Sequence, residues 1–247
     1  MNLLIDFGNT RLKWALDDAG LSAIRGTFAH AGALLAAVLD SQWQALPRPD
    51  GIFVASVVDP ARERELAEFA RQRFGLAMQI LRSPAAALGV RNAYAEPQRL
   101  GIDRFLAMVA AQARAPRVQV LASVGTALTV DALLADGEHL GGLIVPGPTL
   151  MRQAVSAGTA RVDAEDGRYR DWPNSTADGV VSGALQAAAG AIERFRTALA
   201  RRSGSRVALI VSGGGSEELL PLLEDAEHGH DLVLHGLALW ARQASIA

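Results

Sequence analysis

The chain has no cysteine, few aromatic residues (5%), no large excess of charge of either sign, and no apolar run near the ~20 residues that span a bilayer. Each absence excludes something. Without cysteine there are no disulfides and no thiolate metal sites, and a reducing cytoplasm is the expected setting. A balance of 24 basic and 26 acidic residues, net −2, offers no general attraction to nucleic acid or to an anionic membrane. Asp6 falls inside what would be the apolar core of a signal peptide. There is no Walker motif, and no G-x-G-x-x-G follows a strand into a helix, which disfavours the common nucleotide folds. Small-molecule chemistry on a soluble protein is the expectation that survives. At 247 residues and 50% hydrophobic content, a core needs no covalent staples.

What is present is an alternation of strand and helix patterns, the signature of α/β architecture. Leu3 to Ile5 and Leu12 to Leu16 flank the Gly8–Asn9 turn as a hairpin, and Gly51 to Val58 reads as a further buried strand. Helices are expected over Ala33 to Leu46, over Pro60 to Phe74, and around Phe105, Leu106, Val109, Ala110 and Ala113, ending near Pro116. A second half then repeats the opening plan. In "VQVLASVGTALTVDALL" an apolar run is again followed by a glycine turn and an alternating strand, with Gly125 in the place of Gly8. The repeat places a domain boundary at 1–116 and 117–247.

Three strand ends run into small residues: Asp6 to Thr10, Ser123 to Thr126, and "VSGGGS" from Val211 to Ser216. Turns of this kind can offer main-chain N–H groups and hydroxyls to a phosphate without bulky side chains in the way. Each alone is more often only a tight turn. The segment "NAYAEPQRLGIDRFLAMVA" (Asn92 to Ala110) puts Gly101, Asp103 and Arg104 where a loop enters a helix. Asp103 there is either an N-cap or an ionised proton acceptor. "HGH" at His228 to His230 reads as a surface loop rather than a metal site, and the charged stretch Arg161 to Thr176 as an exposed loop or a flap. Trp14, Trp43, Trp172 and Trp240 fall on separate elements, so core or interface packing is expected of them.

Four ordered motifs resemble the type III pantothenate kinases, the family that includes the Bvg accessory factor proteins. They are Asp-x-Gly-Asn-Thr at Asp6 to Thr10, Gly-x-Asp-Arg at Gly101 to Arg104, Gly-Thr-Ala-x-Thr at Gly125 to Thr129, and Gly-Gly-x-Ile-x-Pro-Gly at Gly141 to Gly147. The resemblance implies two ribonuclease H-like domains of the actin-like ATPase superfamily, with acetate kinase, sugar kinases and Hsp70, and an active site in the cleft between them. It implies ATP-dependent phosphorylation of pantothenate, the first step toward coenzyme A, in a cytoplasmic homodimer whose substrate pocket is completed across the dimer interface.

The same resemblance implies roles. Asp6 would sit near Mg²⁺, through water, and the stretch Asp6, Phe7, Gly8, Asn9, Thr10, Arg11, Leu12 and Lys13 would bind ATP, with Thr126 as a further phosphate contact. Asp103 would be the proton acceptor. Gly101, Ile102, Asp103, Arg104, Tyr94 and Thr176 would hold pantothenate, and the Gly213 to Gly215 loop would lie on the adenosine side. One position departs from the pattern: Ser123 stands where many relatives carry an aspartate that helps hold K⁺ or NH₄⁺. A hydroxyl cannot supply that charge, so weak activation by monovalent cations is expected. Two rival readings remain, a kinase of the same superfamily with another substrate and a non-catalytic regulator built on the ATP fold.

Overall fold

The computed structural model describes residues 1–18, 21–30, 35–160, 162 and 165–244. Its contacts divide the chain into two compact units, Met1–Arg114 with Asp231–Ala247, and Ala115–His230.

The first unit holds β1 (Asn2–Phe7), β2 (Arg11–Asp17), β3 (Leu21–Ala29), α1 (Leu35–Trp43), β4 (Gly51–Ser56), α2 (Pro60–Phe74) and β5 (Met78–Leu81). A short ribbon of β6 (Ala86–Ala87) and β7 (Val90–Arg91) precedes α3 (Ile102–Arg114). The sheet order is β3-β2-β1-β4-β5, with β1, β2 and β3 antiparallel and β4 and β5 parallel to β1. The runs Leu3–Leu4–Ile5 and Ile52–Phe53–Val54 are buried throughout, because both faces of the sheet are covered. Leu3, Ile5 and Phe7 pack with Leu35, Leu39, Trp43, Leu66 and Phe74 of α1 and α2.

Helix α2 shows how locally such elements are specified. Asp59 caps it by accepting from the Ala61 and Arg62 N–H groups at 2.8 and 3.1 Å, Pro60 supplies a preset first turn, and Gly75 ends it at φ 68°. Residues 35–46 of the expected first helix yield only α1, and its first two positions, 33 and 34, lie outside the described residues.

The second unit holds β8 (Gln119–Val124), β9 (Ala127–Leu133), β10 (His139–Pro146), α4 (Pro148–Gly158), α5 (Thr176–Ser203), β11 (Ala208–Ser212), α6 (Ser216–Leu219) and β12 (Ala226–His228). Its sheet order, β10-β9-β8-β11-β12, reproduces the first unit's order strand for strand. Three antiparallel strands and two parallel ones recur in the same places. The internal repeat read from the hydrophobic pattern is therefore present in the strand topology.

The division by contacts differs from the expected one at the far end of the chain, where Asp231–Ala247 groups with the first unit. The last helix, α7 (Leu232–Ala244), packs with α3, β1 and β4 of the first unit. The cause is close helix contact: a Cβ on Gly236 of α7 would collide with the Leu106 carbonyl of α3, and Trp240 meets Phe105 edge-on at 6.4 Å. Among the described residues no helix is long and apolar enough to cross a membrane.

Candidate active site

In the first unit the end of β1 delivers Asp6 to the hairpin turn. Lys13 stands opposite it across the β1–β2 pair. The turn itself is closed by the Gly8 N–H donating to the Arg11 carbonyl at 3.1 Å, and it leaves Asn9, Thr10 and Arg11 exposed. Phe7 and Leu12, expected among the ATP-binding residues, have fully buried side chains that belong to the core. Strand alternation explains this, since neighbours of Asp6 and Lys13 must point to the opposite face. Any contact they make with a nucleotide comes from backbone.

The Asp6 carboxyl is pushed up to about 7, first by burial and then by the negative charges of Asp103 and Asp231, while Lys13 pulls it down. The residue as a whole keeps part of its surface open. Three carboxylates thus share one field. Asp231 was not legible as a member, because it lies just beyond the His228 to His230 stretch and more than 200 positions from Asp6; it also accepts from Arg25 Nη1 at 2.9 Å.

Asp103 is not the N-cap. Helix α3 begins at Ile102, and the Gly101 carbonyl accepts from the Phe105 N–H at 3.1 Å, so Gly101 holds the cap position and Asp103 lies in the first turn. The glycine has its own reason: a Cβ at Gly101 would stand 2.5 Å from Asp103 Oδ1. Beside them Arg104 is 6% exposed and donates to the Tyr94 hydroxyl at 3.1 Å, while Ile102 is buried in the core. Asp6, Lys13, Asp103, Arg104 and Tyr94 are therefore all placed by this one unit.

The second unit places the remainder. Ser123, next to last in β8, lies between Thr129 of β9 and Ser212 of β11, a row of three hydroxyls with no carboxylate. Thr126 lies in the following exposed turn, whose carbonyl accepts from the Gly147 N–H at 2.9 Å. Glycine is required at 147 because a Cβ there would strike the Gly125 carbonyl. Gly213, at φ 93°, likewise abuts the Val124 backbone, and the Gly215 N–H donates to the Val124 carbonyl at 3.0 Å. The two glycine loops are thus folded onto one turn. Thr176 is the first residue of α5, capped by Ser175 accepting from the Asp178 N–H at 3.2 Å.

One sequence expectation changes. His228 is the last residue of a strand rather than part of a loop; its Nε2 lies 3.0 Å from Ser216 Oγ and its ring 3.9 Å from that of His230. Trp172 is 93% exposed, whereas Trp14 and Trp43 are core residues 6.3 Å apart. Among the described residues no group of three or more His, Asp or Glu is arranged to hold a metal by itself.

Comparison with known proteins identifies the family. A family model described as type III pantothenate kinase matches residues 2–198. The type III pantothenate kinase of Xanthomonas campestris pv. campestris is 42% identical over 243 residues, covering 98% of both chains. That of Thiobacillus denitrificans is 40% identical over 242 residues, covering 97% of this chain and 96% of its own. Among solved structures, a protein described as a Baf family transcriptional activator from Campylobacter jejuni superposes with a TM-score of 0.62 at 20% identity, over 99% and 100% of the two chains. Component A of (R)-2-hydroxyglutaryl-CoA dehydratase from Acidaminococcus fermentans superposes at 0.58 and 14% identity, over 100% and 99%. These two share the actin-like ATPase fold with this chain and carry no more than that. Motifs, repeated sheets and near full-length identity converge, and the chain belongs to the type III pantothenate kinase family.

Proposed function

We infer that the chain phosphorylates pantothenate with ATP, using Asp103 as the residue that orients the primary hydroxyl and accepts its proton. The observation that carries this reading is the shared field of Asp6 and Asp103: a carboxylate at a strand end beside a phosphate-type turn, and a second one in the first turn of α3.

In the reaction the hydroxyl oxygen bonds to the γ-phosphorus, the bond to the β,γ-bridging oxygen breaks, ADP leaves, and the hydroxyl proton passes to Asp103. In a loose transition state little deprotonation is needed early, so Asp103 acts chiefly by alignment. Lys13 and the Gly8–Thr10 turn would hold the phosphates, with Thr126 as a further contact. Arg104 and Tyr94 would receive the carboxylate or carbonyl of pantothenate, together with Gly101 and Thr176.

The residues fit a divalent cation, since Asp6 sits in surplus negative charge and a hard cation would relieve it. Asp6 would hold Mg²⁺, through water, and the ion would neutralise charge on the transferring phosphoryl group. The hydroxyl row at Ser123 supports weak dependence on K⁺ or NH₄⁺. Exposed Leu143 and Ile144 on β10 and Leu150 and Val155 on α4 support association with a second copy. A cytoplasmic location is part of the same reading, where ATP and a reducing medium meet.

The test is direct detection of 4′-phosphopantothenate by mass spectrometry, with Mg-ATP and pantothenate. Product from the wild type and its loss in Asp103→Asn are expected. Folded wild-type protein that makes none would turn the assignment toward another acceptor or a regulatory role.

A further inference from the structure

His30 follows β3 and is 3% exposed. Both ring nitrogens are engaged. Nε2 lies 2.8 Å from the Gly8 carbonyl oxygen, and Nδ1 lies 2.9 Å from Nη2 of Arg62. A guanidinium can only donate and a carbonyl can only accept, so Nδ1 must be the accepting nitrogen and Nε2 must carry the hydrogen. Arg62 thereby dictates the tautomer. The main-chain N–H of His30 also donates to the Thr10 carbonyl at 3.1 Å. One residue grips the carbonyls at both ends of the Gly8–Thr10 turn.

The peptide group is planar and trans, so its C=O and N–H point in opposite directions. Holding the Gly8 carbonyl against the imidazole therefore aims the Asn9 N–H the other way, toward the open side of a turn whose Asn9 and Thr10 are exposed. An amide fixed before the anion arrives costs no reorganisation when it does.

Behind the imidazole the support continues. The Phe7 ring meets it edge-on at 4.9 Å. Arg62 donates again to the His30 carbonyl at 2.9 Å and pairs with Glu65 at 2.9 Å, and Glu65 accepts from the Leu35 N–H at 3.0 Å. The turn is thus tied through His30 to the first turn of α2, a rigid element.

We propose that His30 is a positioning residue for the reaction: held by Arg62 as the Nε2–H tautomer, it fixes the Gly8 peptide so that the turn presents its amides to the polyphosphate of ATP. This rests on reading Gly8–Thr10 as the phosphate turn. A histidine that only filled space would need the ring and not its nitrogens.

Two substitutions separate these roles. His30→Phe keeps a ring against Phe7 and loses both nitrogen contacts, while His30→Gln restores an N–H able to reach the Gly8 carbonyl. The expected result is a rise of about tenfold in KM for ATP in His30→Phe, as for a lost hydrogen bond of ~1.4 kcal/mol, with KM for pantothenate within twofold and most of the loss recovered in His30→Gln. An unchanged KM for ATP, an equal rise in both KM values, or no advantage of Gln over Phe would overturn the proposal. Should His30→Phe not fold, Arg62→Leu releases the tautomer and leaves the ring; a several-fold rise in KM for ATP supports the proposal and an unchanged value sinks it. If the wild type proves not to use pantothenate, calorimetric titration with Mg-ADP still reads the turn. Weaker binding in the variant then supports the role of His30, and equal binding refutes it.

Discussion

Arg104 donates from Nη1 to the Tyr94 hydroxyl at 3.1 Å, and its guanidinium carbon stands 5.8 Å from the centre of the same ring. The tyrosine thus orients a buried cation from its face and from its tip. Tyr94→Phe keeps the ring and loses the hydroxyl contact, worth ~1 kcal/mol, so KM for pantothenate should rise about fivefold with kcat little changed. Arg104→Lys loses the planar fork and should cost more. Steady-state kinetics in each substrate decides it; a larger effect on ATP than on pantothenate would place the pair elsewhere.

Gly101→Ala should behave as a mild version of Asp103→Asn. The new methyl meets the Asp103 carboxylate, a movable group, and not backbone, so the fold survives while the carboxylate is displaced. Asp103→Asn should lower kcat by about 100-fold or more with KM for ATP nearly unchanged, and Gly101→Ala by about tenfold. A circular dichroism melt checks that both are folded, and loss of kcat in neither would remove Asp103 from the chemistry.

Asp6 carries a pH signature. Its carboxyl is raised from 3.8 to about 7 in the fold, so between those values the native state keeps a proton that the unfolded chain has released. The stability this confers is complete below pH ~4 and is lost as pH rises through 7. Asp6→Asn removes the dependence. Its melting temperature should match wild type near pH 4 and exceed it at pH 8, by about 2–4 °C for each kcal/mol. The same proton competes with a cation, so KM for Mg-ATP in the wild type should climb as pH falls below 7. Parallel melting curves at pH 4 and 8 would contradict the assignment.

Lys13 is the chain's only lysine; every other basic side chain is arginine. An amine-selective acylating reagent therefore has one side-chain target, besides the N-terminus. If Lys13 touches phosphate, saturating Mg-ATP should slow its labelling at least fivefold, read by peptide mass spectrometry, while labelling of Met1 stays unchanged. Equal rates with and without nucleotide would put Lys13 outside the site.

The hydroxyl row Thr129–Ser123–Ser212 should leave K⁺ a weak activator, less than about threefold between zero and 100 mM. Ser123→Asp should steepen the response. A strict K⁺ requirement in the wild type would mean that other groups build the cation site.

The two sheets and the turns at Gly8 and Gly125 were legible because strands covered on both faces produce unbroken apolar runs, and each run ends abruptly in small polar residues. The Gly-x-Asp-Arg motif was legible for a local reason as well, since the glycine makes room for a carboxylate two positions on. Asp231 and His30 were not. Their meaning depends on which distant backbone they reach, and no period or spacing encodes that. The long reach of α7 is of the same kind: its apolar stripe marks a buried helix without saying which unit buries it. The Asp103 cap reading erred by a register of two, because Gly101 can cap a helix with backbone alone.

The return of α7 to the first unit sets an order of events at the ribosome. The first 114 residues emerge long before residues 232–244, and until then the face of α3 that receives Gly236 and Trp240 has no cover. The second unit, one uninterrupted stretch, can close while the first waits open. A stop codon between the second unit and the end of α7 would therefore damage the half of the protein that was made first.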